Sequence, residues 1–193
     1  MKRSELAHIL RSASKVAGDP RILVIGSQAI LASFDDDQLP IDATRSIEAD
    51  IAFFDDPDER KSDLVDGGIG ELSRFHESFG VYGQGVGIST ATLPTGWEGR
   101  LVPFDDPDAR PSEARCLEPH DLVVSKLVAG RPKDHEFARA LLVAGLVDID
   151  VLRAHAELLP VIPAIKRRVI EWLGTVGVVI ERTRSARLHR GDR

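Results

Sequence analysis

Apolar and polar positions alternate along this chain in two distinct periods, and the switch between them outlines the fold. Residues 4–17 repeat apolar positions at helical spacing (Leu6, Ile9, Leu10, Ala13), with Ser4 as the expected N-cap and Gly18-Asp19-Pro20 as the stop. Residues 21–25 are a short β-branched run, apolar throughout its interior after Arg21, the pattern of a buried strand. It leads directly into Gly26-Ser27 and a short helix over 28–32. Residues 47–54 alternate again, which predicts a second strand with Ile47, Ala49, Ile51 and Phe53 on one side and Glu48 and Asp50 on the other.

Past this strand the pattern loosens. Residues 64–78 read as a helix broken at Gly67-Gly68, and the Gly-rich stretch 80–87 reads as a loop leading to a strand at 86–89. A further strand is expected at 101–104. Helices follow at 119–129, 132–145, 149–158 and 164–187, with Pro160 and Pro163 marking the last break. The order predicts an α/β (α+β) fold: a mixed sheet with flanking helices over residues 1–116, then a helical C-terminal subdomain over 117–193. Two near-identical heptamers, Phe54-Asp55-Asp56-Pro57-Asp58-Glu59-Arg60 and Phe104-Asp105-Asp106-Pro107-Asp108-Ala109-Arg110, read as the same turn chemistry used twice at strand ends.

Composition narrows the setting. No apolar run approaches the roughly 20 residues needed to cross a bilayer. The N-terminus lacks the apolar stretch of a signal peptide. The single Cys116 has no internal disulfide partner. A cytoplasmic protein without a membrane partner is the expectation. The six histidines show no metal-ligand spacing along the chain. The net charge of −6 argues against a protein that coats nucleic acid, but it conceals an asymmetry. Residues 166–193 carry eight Lys/Arg against three acids, or +5, leaving −11 on residues 1–165. Such a basic end is either a solvated terminus or a handle for phosphates.

The candidate chemistry starts at Gly26-Ser27. A strand running through Gly-Ser into a helix directs backbone N–H groups and a hydroxyl at one point, where phosphate is favoured. A Ser at a helix start can also serve as a cap and nothing more. Glu48 and Asp50 add weight, because residues two apart on a strand share a face. Two carboxylates held side by side repel unless a cation lies between them, and hard oxygen ligands of this kind suit Mg²⁺ carrying a triphosphate.

Gly-Ser at a strand end, followed some twenty residues later by acid-x-acid on the next strand, resembles the DNA polymerase β-type nucleotidyltransferase superfamily. The run from Glu118 through Asp121, Lys126 and Arg131 to Lys133-Asp134 is similar to the AbiEii/MenT-like branch, toxins of toxin–antitoxin systems. Leu93-Pro94-Thr95-Gly96-Trp97-Glu98-Gly99-Arg100-Leu101 also resembles a linker of that branch. The resemblance implies that Gly26 and Ser27 contact phosphate and that Glu48 and Asp50 hold Mg²⁺, with Mn²⁺ as a substitute. Lys126 and Arg131 would meet the nucleotide, and Asp134 would be a further essential acid, preferred over Asp105 as the third carboxylate. It further implies a nucleoside triphosphate donor with a pyrimidine base, the 3′ end of tRNA as acceptor, and a cognate antitoxin as partner. A protein hydroxyl as acceptor, or nucleotide binding without catalysis, are the rival readings. The sequence departs from the superfamily at Glu48, where Asp is usual. Lys126 could equally lie along a half-buried helix face, and Lys133-Asp134 could be ordinary first-turn charge.

Overall fold

A computed structural model describes the backbone of residues 1–191 and the side chains of residues 1–180. Helix α1 (Arg3–Ala17) buries Leu6, Ile9, Leu10 and Ala13 and ends at Gly18 in the left-handed conformation. It starts one residue before the expected Ser4 cap, with Lys2 at the N-cap position. Strand β1 (Ile22–Val24) is fully buried. Antiparallel to it lies β2 (Glu48–Phe53), with Val24 opposite Ile51.

Strand β3 (Tyr82–Gly85) runs parallel to β2. On the other side of β1 come β5 (Arg115–Cys116), parallel to it, and then β4 (Val102–Pro103), antiparallel to β5. The sheet order is β3-β2-β1-β5-β4, which makes β1 the central strand. The fold is therefore mixed α/β, as the pattern of periods implies. The short helix α2 (Ile41–Thr44) lies between β1 and β2.

Helices α3 (Arg60–Ile69) and α4 (Arg74–Phe79) carry the chain from β2 to β3, and α3 packs on both α1 and β3. The helix does not break at Gly67-Gly68. It runs through them and stops at Gly70, with Leu72 in the left-handed region just beyond. Strand β3 replaces the loop expected over 80–87, and residues 86–89 form no strand. A glycine weakens a strand, but it also permits close approach of a neighbouring backbone. A Cβ on Gly85 would lie 2.0 Å from the Ser62 carbonyl oxygen, so α3 could not seat on β3 with any side chain there.

The two aspartate-rich heptamers perform one task. Asp56 accepts from the backbone N–H groups of Lys61 and Ser62 at the start of α3. Asp106 accepts from the N–H of Asp108 in the 3₁₀ turn Pro107–Ala109. In each copy the second aspartate caps the turn that follows a strand.

From β5 the chain enters α5 (Pro119–Ala129), capped by Glu118 and closed by Gly130 in the left-handed conformation. Helix α6 (Pro132–Ala144) begins two residues later. Then come α7 (Ile149–Glu157) and the long α8 (Pro163–Gly191). Pro at the first turn and Gly past the last explain why α5 and α6 are so sharply bounded. Helix α5 touches α6, α7 and α8 and also the 3₁₀ turn Ser27–Ala32 that follows β1. It is thus the element that joins the helical segment to the end of the central strand.

Candidate active site

Gly26 follows the buried central strand directly, and the Ile25 N–H donates to the Asp50 carbonyl across the β1–β2 pair at 3.2 Å. This pairing lays the Asp50 side chain over Gly26. A Cβ on Gly26 would lie 1.6 Å from Asp50 Oδ2 and 2.5 Å from its Cγ. Glycine is required here by the carboxylate itself. The short helix expected here is a 3₁₀ helix (Ser27–Ala32) that begins at Ser27, and Ser27 is not among the residues that line the cleft described below.

Glu48 stands two residues before Asp50 on the same face of β2. Burial, and then the neighbouring Glu48, push Asp50 up to about 6 despite the opposing pull of Lys126 and Arg131. Both cations come from the α5–α6 corner. Lys126 lies one turn before the end of α5, and Gly130 turns the chain so that Arg131 caps α6. Burial draws Lys126 down, with Asp134 and Asp50 opposing that shift.

Asp134 itself is fully buried. Its Oδ2 accepts from Arg131 Nε at 2.7 Å and from the Arg131 backbone N–H at 3.2 Å. Its Oδ1 lies 3.5 Å from Lys126 Nζ and accepts from Arg131 Nη2 at 3.3 Å. Burial favours the neutral acid, but Arg131 and Lys126 outweigh it and hold Asp134 below the usual carboxylate range. Asp134 is thereby the shared counter-ion of Lys126 and Arg131.

Asp50, Gly26, Lys126 and Arg131 line one open cleft of about 290 Å³, together with Val86, Thr90, Thr92 and Ser125. The cleft lies between the ends of β1 and β2, the segment after β3, and the α5–α6 corner. Asp105 is elsewhere: it lines a separate depression with Arg21, Phe54 and Arg115, and its carbonyl accepts from Arg3. The strand neighbour of Asp50 is Gln84, an amide held by Asp66 at 3.0 Å. The neighbour of Glu48 is Tyr82, whose hydroxyl donates to Glu48 Oε2 at 3.1 Å. Burial, reinforced by Glu48, pushes this phenol up to about 12. Neither Tyr82 nor Gln84 stands out in sequence, because their role depends on a strand pairing hidden inside a Gly-rich stretch.

The carboxylate pair fits a divalent cation. Asp50 lines the cleft, and Glu48, not itself a lining residue, stands beside it on β2. Burial and then Glu48 raise Asp50, and among the described residues neither acid has an ion pair as close as that of Asp134. Hard carboxylate oxygens are the ligands Mg²⁺ takes, with the rest of its shell left to water and phosphate.

The fold also gathers residues that are far apart in sequence. Among the described residues, Glu118, Asp121 and His155 place one ligand atom each within 4.8 Å of one another. Both carboxylates already have hydrogen-bond partners. Asp121 takes Arg100 Nε and Nη2 at 2.8 and 3.0 Å and faces His155 Nδ1 at 2.8 Å. Glu118 accepts the N–H groups of His120 and Asp121 and pairs with His120 Nδ1 at 2.5 Å. Because His120 Nε2 accepts from the Asp148 N–H, its Nδ1 carries the hydrogen given to Glu118. This cluster braces α5 against α7 and the segment around Arg100, and it gives two histidines a structural place that sequence spacing could not reveal.

Of the basic C-terminal run, Lys166 pairs with Glu157 and Arg168 donates to the Val128 carbonyl at the end of α5. The side chains of Arg182, Arg184, Arg187, Arg190 and Arg193 lie outside the described residues. Among the described residues no helix is long and apolar enough to cross a membrane.

The fold thus brings together a carboxylate pair on β2, a glycine pressed against one of the acids, and two cations from the α5–α6 corner. The profile of the family described as "Nucleotidyltransferase of unknown function (DUF6036)" matches residues 4–169, and the chain belongs to that family. No curated protein and no solved structure matches the chain.

Proposed function

We propose that this protein transfers a nucleoside monophosphate from a nucleoside triphosphate to the 3′ end of tRNA, as the toxin of a toxin–antitoxin system. The observation that carries the reading is the single cleft that sets Asp50 and Gly26 opposite Lys126 and Arg131. There Asp50, with Glu48 beside it on β2, would hold Mg²⁺, or Mn²⁺ in its place. The ion would neutralise the triphosphate and polarise the α-phosphoryl group. Lys126 and Arg131 would meet the phosphates from the other wall, positioned by Asp134, so that charge developing at the leaving pyrophosphate is offset. Gly26 would let the phosphates approach the backbone beside Asp50, with Ser27 at the flank. One of the acids of the site would accept the proton from the attacking acceptor hydroxyl.

The acceptor, the pyrimidine donor and the antitoxin rest on the AbiEii/MenT-like resemblance of residues 118–134. The basic stretch 166–193 is consistent with an RNA acceptor. In this reading residues 1–116 form the nucleotidyltransferase core and 117–193 a subdomain that completes the site from α5 and α6, in the cytoplasm. The test is incubation of the protein with each labelled nucleoside triphosphate, Mg²⁺, total tRNA and a protein mixture. Label on tRNA supports the reading. Label on protein alone moves the acceptor to a protein hydroxyl, and label on neither leaves nucleotide binding without transfer.

A further inference from the structure

Of the two acids on β2, Glu48 is the longer and freer, and something must fix its carboxylate if it is to share a cation with Asp50. The parallel pairing of β2 and β3 places Tyr82 directly beside Glu48, just as it places Gln84 beside Asp50. Tyr82 is the sole tyrosine of the chain. Its ring is buried and sits against the His76 ring on α4, with centroids 4.7 Å apart. A ring packed in this way has little rotational freedom, so its hydroxyl is a donor at a fixed place. That hydroxyl donates to Glu48 Oε2 at 3.1 Å.

We propose that Tyr82 is a positioning residue: its hydroxyl takes Oε2 of Glu48 and thereby presents Oε1 to the cation shared with Asp50. The inference rests on the two-carboxylate cation site of the proposed function. Groups that orient a metal ligand commonly govern affinity as strongly as 10–100-fold. The glutamate side chain is what makes the contact possible. Aspartate at position 48 would withdraw the carboxylate by about one carbon–carbon bond, roughly 1.5 Å, and leave the Tyr82 hydroxyl without its acceptor. Tyr82 and the extra methylene of Glu48 therefore work as a unit.

The experiment is a double-mutant cycle on Mn²⁺ binding, read from the loss of the free-ion signal in electron paramagnetic resonance. The proteins are wild type, Tyr82→Phe, Glu48→Asp, the double variant and Asp50→Asn. Tyr82→Phe removes one oxygen and keeps the ring on His76. It is expected to weaken Mn²⁺ binding about tenfold in the wild-type background and less than about twofold in the Glu48→Asp background, the non-additivity that marks coupled residues. An equal loss in both backgrounds would mean that Tyr82 acts through general packing, and would overturn the proposal. Unchanged binding in Tyr82→Phe would overturn it as well, while leaving the cation site intact. Wild type that binds no more Mn²⁺ than Asp50→Asn would overturn the cation site and this inference together.

Discussion

The Asp50 carboxylate fills the space that any side chain on Gly26 would need, with Oδ2 only 1.6 Å from where a Cβ would stand. Gly26→Ala must therefore displace the acid rather than merely crowd it, since the Asp50 Cγ and Cβ would also lie within 2.9 Å. The expected result is a loss of about 1–3 kcal/mol of stability from overpacking and loss of transfer activity. Gly26→Ala combined with Asp50→Ala should recover most of the stability and none of the activity. Chemical denaturation of the four proteins checks this. Additive losses in the double variant would show that the strain lies elsewhere.

Asp50 also sets a dependence on pH. Its folded value of about 6 is raised above the usual carboxylate value of 3.8, by burial first and Glu48 second. A raised acid favours the fold below its unfolded value, and that contribution is lost as pH rises through the folded one. At pH above about 6 the ionised pair destabilises the fold, so Asp50→Asn should gain on the order of 1–2 kcal/mol near neutrality and nothing below the unfolded value of 3.8. Mg²⁺ competes with the proton for the same oxygens. Its stabilising effect on the melting temperature should be small at acid pH and grow as pH rises through about 6. A Mg²⁺ effect independent of pH over this window would count against the carboxylate pair as its site.

Asp134 behaves in the opposite sense. Burial would raise it, but Arg131 and Lys126 hold it below the usual carboxylate value of 3.8. Its contribution to stability is present above that value and lost as pH falls through its lower folded one. Asp134→Asn removes the buried partner of Lys126 and of the more exposed Arg131 and should cost about 1–3 kcal/mol near neutrality, with a smaller cost in acid. Thermal unfolding of both proteins across pH measures the difference. A cost that does not shrink in acid would mean that packing, not charge, accounts for it.

Lys126→Met keeps the aliphatic stem over Phe137, which the Lys126 ammonium faces at 5.0 Å. Asp134 retains Arg131 in this variant. Folding should thus change little, while transfer should fall at least about 10²-fold, as for loss of a group that stabilises developing charge. Equal losses of stability and activity would instead make Lys126 a structural residue.

The parts of this molecule that local chemistry determines were legible before any coordinates. Alternation from Ala49 to Phe53 exposed β2 and its paired acids, and Pro119, Gly130, Pro132 and Gly145 bracketed α5 and α6. Strand β3 was hidden because Gly83 and Gly85 suppress every strand signal, and the reason for Gly85 is the close passage of α3, a tertiary fact. By residue type Asp105 and Asp134 are alike, and only the resemblance to the AbiEii/MenT-like branch prefers Asp134. In the fold Asp134 is enclosed by Arg131 and Lys126, while Asp105 follows β4, beyond β5 at the far edge of the sheet from β2. Tyr82, Gln84 and the Glu118–Asp121–His155 brace depend on strand register and helix packing, which no single-chain pattern reports.

The most direct test of the central claim follows the phosphorus atom. Wild type and Asp50→Ala would be given tRNA, Mg²⁺ and nucleoside triphosphate labelled at either the α- or the γ-phosphate. Nucleotidyl transfer in this cleft predicts α-label on tRNA, γ-label released as pyrophosphate, and neither with Asp50→Ala. γ-Label on the acceptor, or α-label transfer that survives the loss of Asp50, would contradict it.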